Sequence, residues 1–148
     1  MERKELLNKF ADAHKHDGLP PLANKIVGVF YLSNEKYLGF DDIVDLVDAS
    51  KGAVSKALKL LMSIYRINHI QDPTTSRKRL FYLDPDGAEK YIKIVAEGLS
   101  TQNELIKELN QFRTNGNNEM SDFIERTIAF NGEAIAFLLK NSERYFKK

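Results

Sequence analysis

Between Ser50 and Leu83 the chain changes its period abruptly, and few folds accommodate that change. Ser50 is a good N-cap for a helix of about 51–66, on which Val54, Leu58, Leu61 and Tyr65 recur at i, i+4, i+7 and i+11. Ala57 and Ile64 widen this apolar stripe. Two short strand-like runs follow, Ile67 to Gln71 and Arg79 to Leu83. They are joined by the turn-rich, basic loop Asp72-Pro73-Thr74-Thr75-Ser76-Arg77-Lys78. Upstream, Asp41 can cap a short helix carrying Ile43, Val44, Leu46 and Val47, and Asp48-Ala49 makes a tight turn. Short helix, turn, second amphipathic helix and then strand, loop, strand spell a winged helix-turn-helix.

The remainder of the 148 residues reads as helix, so the expected fold is mainly α, with a three-helix core and a small β wing. Residues 2–16 place Leu6, Leu7, Phe10 and His14 at helical spacing, and Asp17-Gly18 breaks the run. Leu19-Pro20-Pro21 opens a second helix, about 20–32, nearly all apolar after Lys25, within which Gly28 permits close packing. Tyr37 to Phe40 is a short extended piece. Pro85 opens a long helix to about Arg113, with Ala88, Ile92, Val95, Leu99, Ile106 and Leu109 on one seam and Gln102 as its polar position. Tyr91, Leu105 and Phe112 form a second stripe beside it. After Asn115-Gly116-Asn117-Asn118, a last helix runs to about Tyr145. It carries Ile124, Ile128, Ile135 and Leu138 on one face and Phe123, Phe130 and Phe137 on the next. The expected division is an N-terminal dimerisation helix at 1–18, a winged domain at 19–84 and a helical dimerisation region at 85–148. One stripe on each long helix suffices for packing within a chain, so the spare stripes imply a homodimer.

Charge is distributed more tellingly than the net value of +1 suggests. Lys51, Lys56, Lys59, Arg66, Arg77, Lys78 and Arg79 crowd one short stretch opposed locally only by Asp72, which leaves the rest of the chain net acidic. A solvated helix face explains Lys51, Lys56 and Lys59 taken alone. A basic wing at the right distance makes the set the footprint of a surface that meets a polyanion. On that reading the partner is double-stranded DNA. Ser50 and Gly52 shape the start of the recognition helix, and Lys51, Ser55, Lys56 and Lys59 face the major groove. Thr75, Ser76, Arg77, Lys78 and Arg79 hold an adjacent backbone or minor groove. The alternative is a winged-helix protein-interaction module that binds no DNA.

The stretches Gly18-Leu19-Pro20, Lys25-Ile26-Val27-Gly28-Val29-Phe30-Tyr31-Leu32 and Ala49-Ser50-Lys51-Gly52-Ala53-Val54-Ser55-Lys56-Ala57-Leu58 resemble the GbsR-type branch of the MarR transcriptional regulators. The resemblance covers roughly residues 10–84. It implies a homodimer whose terminal helices form the body, with two winged domains reading a pseudo-palindromic operator. The wing tip, Pro73 to Arg79, is richer in hydroxyls and charge than is usual in that branch. The branch is linked to osmoprotectant sensing, which leaves room for a small-molecule effector, but no residue here identifies one.

Other chemistries find little support. There is no cysteine, so thiol nucleophiles, thiolate metal sites and disulfides are excluded together. His14 and His16 fall on different faces near a helix end, a poor metal pair, and His69 alternates in a wing strand where it faces solvent or phosphate. Asp41, Asp42, Asp45 and Asp48 suit the start of a short helix better than acid–base catalysis. No glycine-rich phosphate loop follows a strand, so no enzyme, cofactor or metal site is expected. No apolar run is long enough for a membrane span and no signal-peptide pattern opens the chain, which points to the cytoplasm. Phe10, Phe30, Tyr31, Tyr37, Tyr65, Tyr82 and Tyr91 belong to core packing more readily than to a cage for a quaternary ammonium.

Overall fold

A run of apolar residues from Ile26 to Phe30 cannot be left in water on any side, and the first unit of the chain is built around it. The structure is a computed structural model that describes residues 2–15, 17–75, 77–114 and 116–147. It divides into two units, Met1–Gly87 and Ala88–Lys148. In the first, α1 (Arg3–Ala13) lies on α2 (Pro21–Leu32), and α3 (Phe40–Val47) and α4 (Lys51–Ser63) pack on the other sides of α2. Ile26, Val27 and Val29 of α2 meet Leu7, Ile43, Val47, Val54, Leu58 and Leu61 in one core. Gly28 faces α1: a Cβ there would stand 2.8 Å from Cδ1 of Phe10 and 3.2 Å from Cδ2 of Leu7. The Lys25 ammonium donates to the Val47 carbonyl at 3.1 Å, placing a cation on the C-terminal end of α3.

β1 (Leu38–Gly39), β2 (Ile67–Gln71) and β3 (Arg79–Leu83) form an antiparallel sheet in the order β1-β3-β2. The register sets Leu38 opposite Phe81, His69 opposite Phe81 and Ile67 opposite Leu83. Ile67 and Phe81, both about 1% exposed, pin the wing to the core. Both long strands have the expected limits.

Two local expectations need correction. Asp41 does not cap α3. The helix begins at Phe40, and Asp42 accepts from the backbone N–H of Gly39 at 3.3 Å, leaving Asp41 in the exposed first turn. Tyr65 does not extend the buried stripe of α4, because the helix ends at Ser63 and Tyr65 adopts φ 65°. The N–H of Arg66 bonds the Leu61 carbonyl at 2.9 Å and the N–H of Tyr65 bonds that of Met62 at 3.2 Å, a Schellman closure with tyrosine where glycine is usual. A bulky residue in this left-handed region costs about 1–2 kcal/mol. Nearby, Gly87 ends a 3-10 turn (Pro85–Gly87) and packs so tightly on the Tyr65 carbonyl that no Cβ fits.

The second unit is a hairpin of α5 (Ala88–Gln111) and α6 (Asn118–Phe146). Its seam differs from the expected one. Ile92, Leu99 and Ile106 face α6 as expected. The alternate positions are Ala96, Asn103 and Asn110, whereas Val95, Gln102 and Leu109 are exposed. On α6 the seam runs through Ile124, Ile128, Asn131, Ile135, Leu138 and Ser142. At its middle the amide of buried Asn131 donates to Oδ1 of Asn103 at 3.3 Å, and Asn103 donates to the Ile128 carbonyl at 3.2 Å. Beside the seam lies a stripe of Leu105 and Leu109 on α5, continued by Phe112 just past its end, and another of Met120, Phe123, Phe130 and Phe137 on α6. Each is offset by about one residue, −100°, from its own seam. Antiparallel helices turn equal offsets toward the same side of a hairpin, so the stripes merge into one apolar face. Phe112 is 88% and Phe130 71% exposed on it, far more than a free soluble surface usually shows.

Among the described residues, no helix is long and apolar enough to cross a membrane.

Candidate nucleic-acid interface

The start of α4 is set by one side chain. Ser50, extended at ψ 152°, accepts the Ala53 N–H on its hydroxyl at 3.2 Å. Gly52 needs no special backbone there, since it has ordinary helical geometry and a Cβ would meet nothing within 4 Å. What glycine contributes is a low surface at the helix N-terminus. With Val54, Ala57, Leu58 and Leu61 turned to the core, Gly52, Lys56 and Lys59 point straight outward. Ser55, expected to face the major groove with the lysines, is half-buried on the flank. Met62, two turns further on, shares that flank and touches His69 of β2, so this side of α4 faces the wing.

Arg77, Lys78 and Arg79 leave the wing exposed, and the Arg79 guanidinium lies over the Phe81 ring at 5.4 Å. Thr75 is half-buried, with its carbonyl turned back to Gln71, and Ser76 lies outside the described residues. Gln71 holds the loop from below: its amide donates to the carbonyls of Lys78 at 2.8 Å and Thr75 at 3.3 Å. Asp72 holds it from within, accepting from the Thr74 N–H at 2.9 Å and its hydroxyl at 2.7 Å. The backbone bond from Thr74, then its hydroxyl and the nearby Lys78 charge, keep the Asp72 carboxyl below its ordinary value.

Folding also brings in acidic groups that the local sequence does not show. Pairing of β1 with β3 carries the start of α3 to the base of the wing. Asp41, Asp42 and Asp72 therefore share a cleft of about 460 Å³ with Arg77, Lys78 and Arg79. Asp41 also stands 3.8 Å from the Lys51 ammonium at the N-terminus of α4. Lys51 is thus partly neutralised, whereas Lys56 and Lys59 are in none of the ion pairs found among the described residues.

The aromatic residues do not form one cage. Phe10 and Tyr31 pair edge-on at 5.9 Å beside α1, while Tyr37 and Tyr82 pair at 5.5 Å on the outer face of the sheet. The second pair already holds a cation, the Lys36 ammonium, 5.2 Å from Tyr37 and 5.7 Å from Tyr82. Phe30 is buried in the core. His14 turns Nδ1 to the Phe10 carbonyl at 2.9 Å, and His16 lies outside the described residues. No three His, Asp or Glu side chains gather as metal ligands among the described residues.

No protein-family model and no curated protein matches the chain. Solved structures do. A transcriptional regulator is similar over 99% of this chain and 99% of its own, with 15% identity and a TM-score of 0.71. A MepR mutant from S. aureus covers 84% of this chain and 89% of its own at 16% identity, with a TM-score of 0.47. A MarR mutant from E. coli complexed with operator DNA covers 94% and 84% at 15% identity, with a TM-score of 0.44. The first likeness carries the fold, a mainly helical winged helix-turn-helix; the other two are too distant to carry an argument.

Proposed function

We propose that this chain is a DNA-binding transcriptional regulator of the MarR type, from its GbsR-like branch, acting in the cytoplasm as a homodimer on a pseudo-palindromic operator. The observation that carries the reading is the outward row of Gly52, Lys56 and Lys59 beside Arg77, Lys78 and Arg79 of a laced wing, on a fold shared with a transcriptional regulator. α4 enters the major groove by its N-terminal half, where Ser55 and Lys56 reach base edges and the low surface at Gly52 admits the backbone. Lys51 and Lys59 hold phosphates, as do Thr75, Ser76 and the three wing cations. The apolar face of the α5–α6 hairpin supports the dimer, since Leu109, Phe112 and Phe130 would otherwise stand in water. A small effector that changes the spacing of the two heads would act by shifting the population of DNA-competent states.

Fluorescence anisotropy with a random-sequence duplex over a salt series tests the reading. With about half of the basic residues of α4 and the wing engaged on phosphates at once, a dimer makes about six contacts, which give a slope of log K against log salt of roughly −5. A slope near zero refutes it. Sedimentation at twice the chain mass is expected, and a monomer at micromolar concentration removes the dimer.

A further inference from the structure

A helix in the major groove and a hairpin at the neighbouring minor groove straddle one sugar-phosphate strand. Whatever lines the trough between α4 and the wing therefore lies under phosphates. The wing side of the trough is the inner face of the sheet, where strand alternation places Ile67, His69 and Gln71 of β2 with Arg79 and Phe81 of β3. The α4 side is the flank that carries Met62, with Lys59 at its outer edge. His69 bridges the two walls: its Nδ1 lies 3.4 Å from the Met62 sulfur, and its ring 6.1 Å from that of Phe81. A thioether only accepts, so Nδ1 carries the proton in this contact and Nε2 is the nitrogen that takes up a second one. His69 remains exposed to solvent, and the Arg79 guanidinium lies over the same Phe81 ring.

We infer that His69 is a proton-linked phosphate contact in the trough between recognition helix and wing, so that DNA binding tightens as pH falls. This rests on the DNA-binding reading above. The charged groups on the elements packed against His69 are cations, Lys51, Lys56 and Lys59 on α4 and Arg79 on β3, and no acidic residue occurs in α4, β2 or β3. Asp41 and Asp42 share a cleft with Arg79 and Phe81 at the β1 side of the sheet, where Asp41 faces Lys51 and Asp42 accepts from the Gly39 N–H. The nearest carboxylate along the strand, Asp72, is engaged by Thr74. His69 is in none of the ion pairs found among the described residues. A phosphate laid in the trough supplies a counter-charge and draws the proton on. Imidazole is the side chain whose charge ordinarily changes between about pH 5 and 8, and proton uptake on binding makes affinity follow pH.

The test uses the full-length protein and a short labelled duplex of random sequence, titrated from about pH 8 to about pH 5.5 at fixed salt. The expected result is about a tenfold gain in affinity on acidification, bounded at about tenfold per pH unit for each proton taken up. The salt slope should steepen at low pH by about one per protomer. In H69Q both effects vanish while the affinity at high pH persists; a variant with His14 and His16 replaced by Gln keeps them. NMR titration of the wild-type His69 ring should show its protonation moved to higher pH when the duplex is present. The inference is overturned if H69Q keeps the wild-type pH dependence, if the wild type shows none, or if the duplex leaves the ring's titration unmoved. Failure to bind duplex at any pH would overturn the DNA reading itself and this inference with it.

Discussion

Replacing Asn131 by Leu should destabilise the α5–α6 hairpin, and replacing Asn103 as well should restore what is lost. The two amides are 6% and 8% exposed in an otherwise apolar seam, joined by the 3.3 Å bond from Asn131 to Oδ1 of Asn103. Asn131→Leu removes the donor and leaves a buried carbonyl oxygen unsatisfied, at a cost of about 1–3 kcal/mol. Asn103→Leu strands the Asn131 amide and also removes the 3.2 Å bond to the Ile128 carbonyl, so a loss of about 2–3 kcal/mol is expected. The double variant strands nothing and buries two more aliphatic side chains, each worth about 1.5–3 kcal/mol before misfit. Its stability should equal or exceed that of the wild type, giving a coupling energy of about 2 kcal/mol or more. Urea denaturation of the four proteins at one fixed concentration measures this, because association adds to apparent stability. Additivity of the two single changes to within about 0.5 kcal/mol would refute the reasoning. The amides remain useful despite their cost. A single polar pair in a heptad seam penalises every register but one, and a slipped hairpin would present a different apolar face.

Four further predictions concern the winged unit. Gly87→Ala should cost about 2–3 kcal/mol by thermal or chemical denaturation, because the new methyl must displace the Tyr65 backbone; a variant as stable as wild type would mean the turn gives way freely. The order of the wing loop should be intact above about pH 4 and fade as pH falls through the lowered value of Asp72, since protonation removes the negative charge that strengthens both Thr74 bonds; the Thr74 amide resonance reports it, and one unchanged down to about pH 2 refutes it. Replacing Ser55 and Lys56 by Ala should cost about 1–3 kcal/mol per lost base contact on a selected site and little on random DNA. Arg77→Ala should weaken both alike and flatten the salt slope by about one or two. Competition with specific and scrambled duplexes decides between them, and the opposite pattern would relocate the reading head to the wing.

The parts of the fold legible in the sequence were those set by neighbours in the chain. Ser50 acts as the cap its position suggested, and the wing strands have the expected limits because a local change of period defines them. Gly28 meets α1 as a glycine in an apolar helix suggests. The non-local features were hidden. Asp41 and Asp42 reach the wing only through the pairing of β1 with β3, across some forty residues of chain. The seam of α5 was misplaced by one residue on alternate turns because the helix carries two apolar stripes. The larger side chains, Val95 and Leu109, lie on the one that α6 leaves uncovered, while small Ala96 and polar Asn103 take the buried places. Tyr65 defeats propensity, since a left-handed residue is expected at glycine or asparagine. Of the expected interface residues, Ser55 proved a flank residue and Lys51 is shared with Asp41. His69 was visible only as a solitary imidazole in a strand; its bridge to Met62 needed the fold.

The lacing of the wing loop by Gln71 bears on the thermodynamics of recognition. A loop of seven residues that became ordered only on meeting DNA would lose about 1–2 kcal/mol of backbone entropy per residue at that moment. Here the amide of Gln71 clasps the carbonyls on both sides of the loop, and the Asp72 N–H bonds the Lys78 carbonyl at 2.9 Å to close its base. Much of that loss is therefore incurred during folding, where the core offsets it. On the proposed reading, Arg77 and Lys78 would arrive at the duplex on a frame already shaped, so their attraction for phosphate would appear in the binding constant with less deducted for loop ordering.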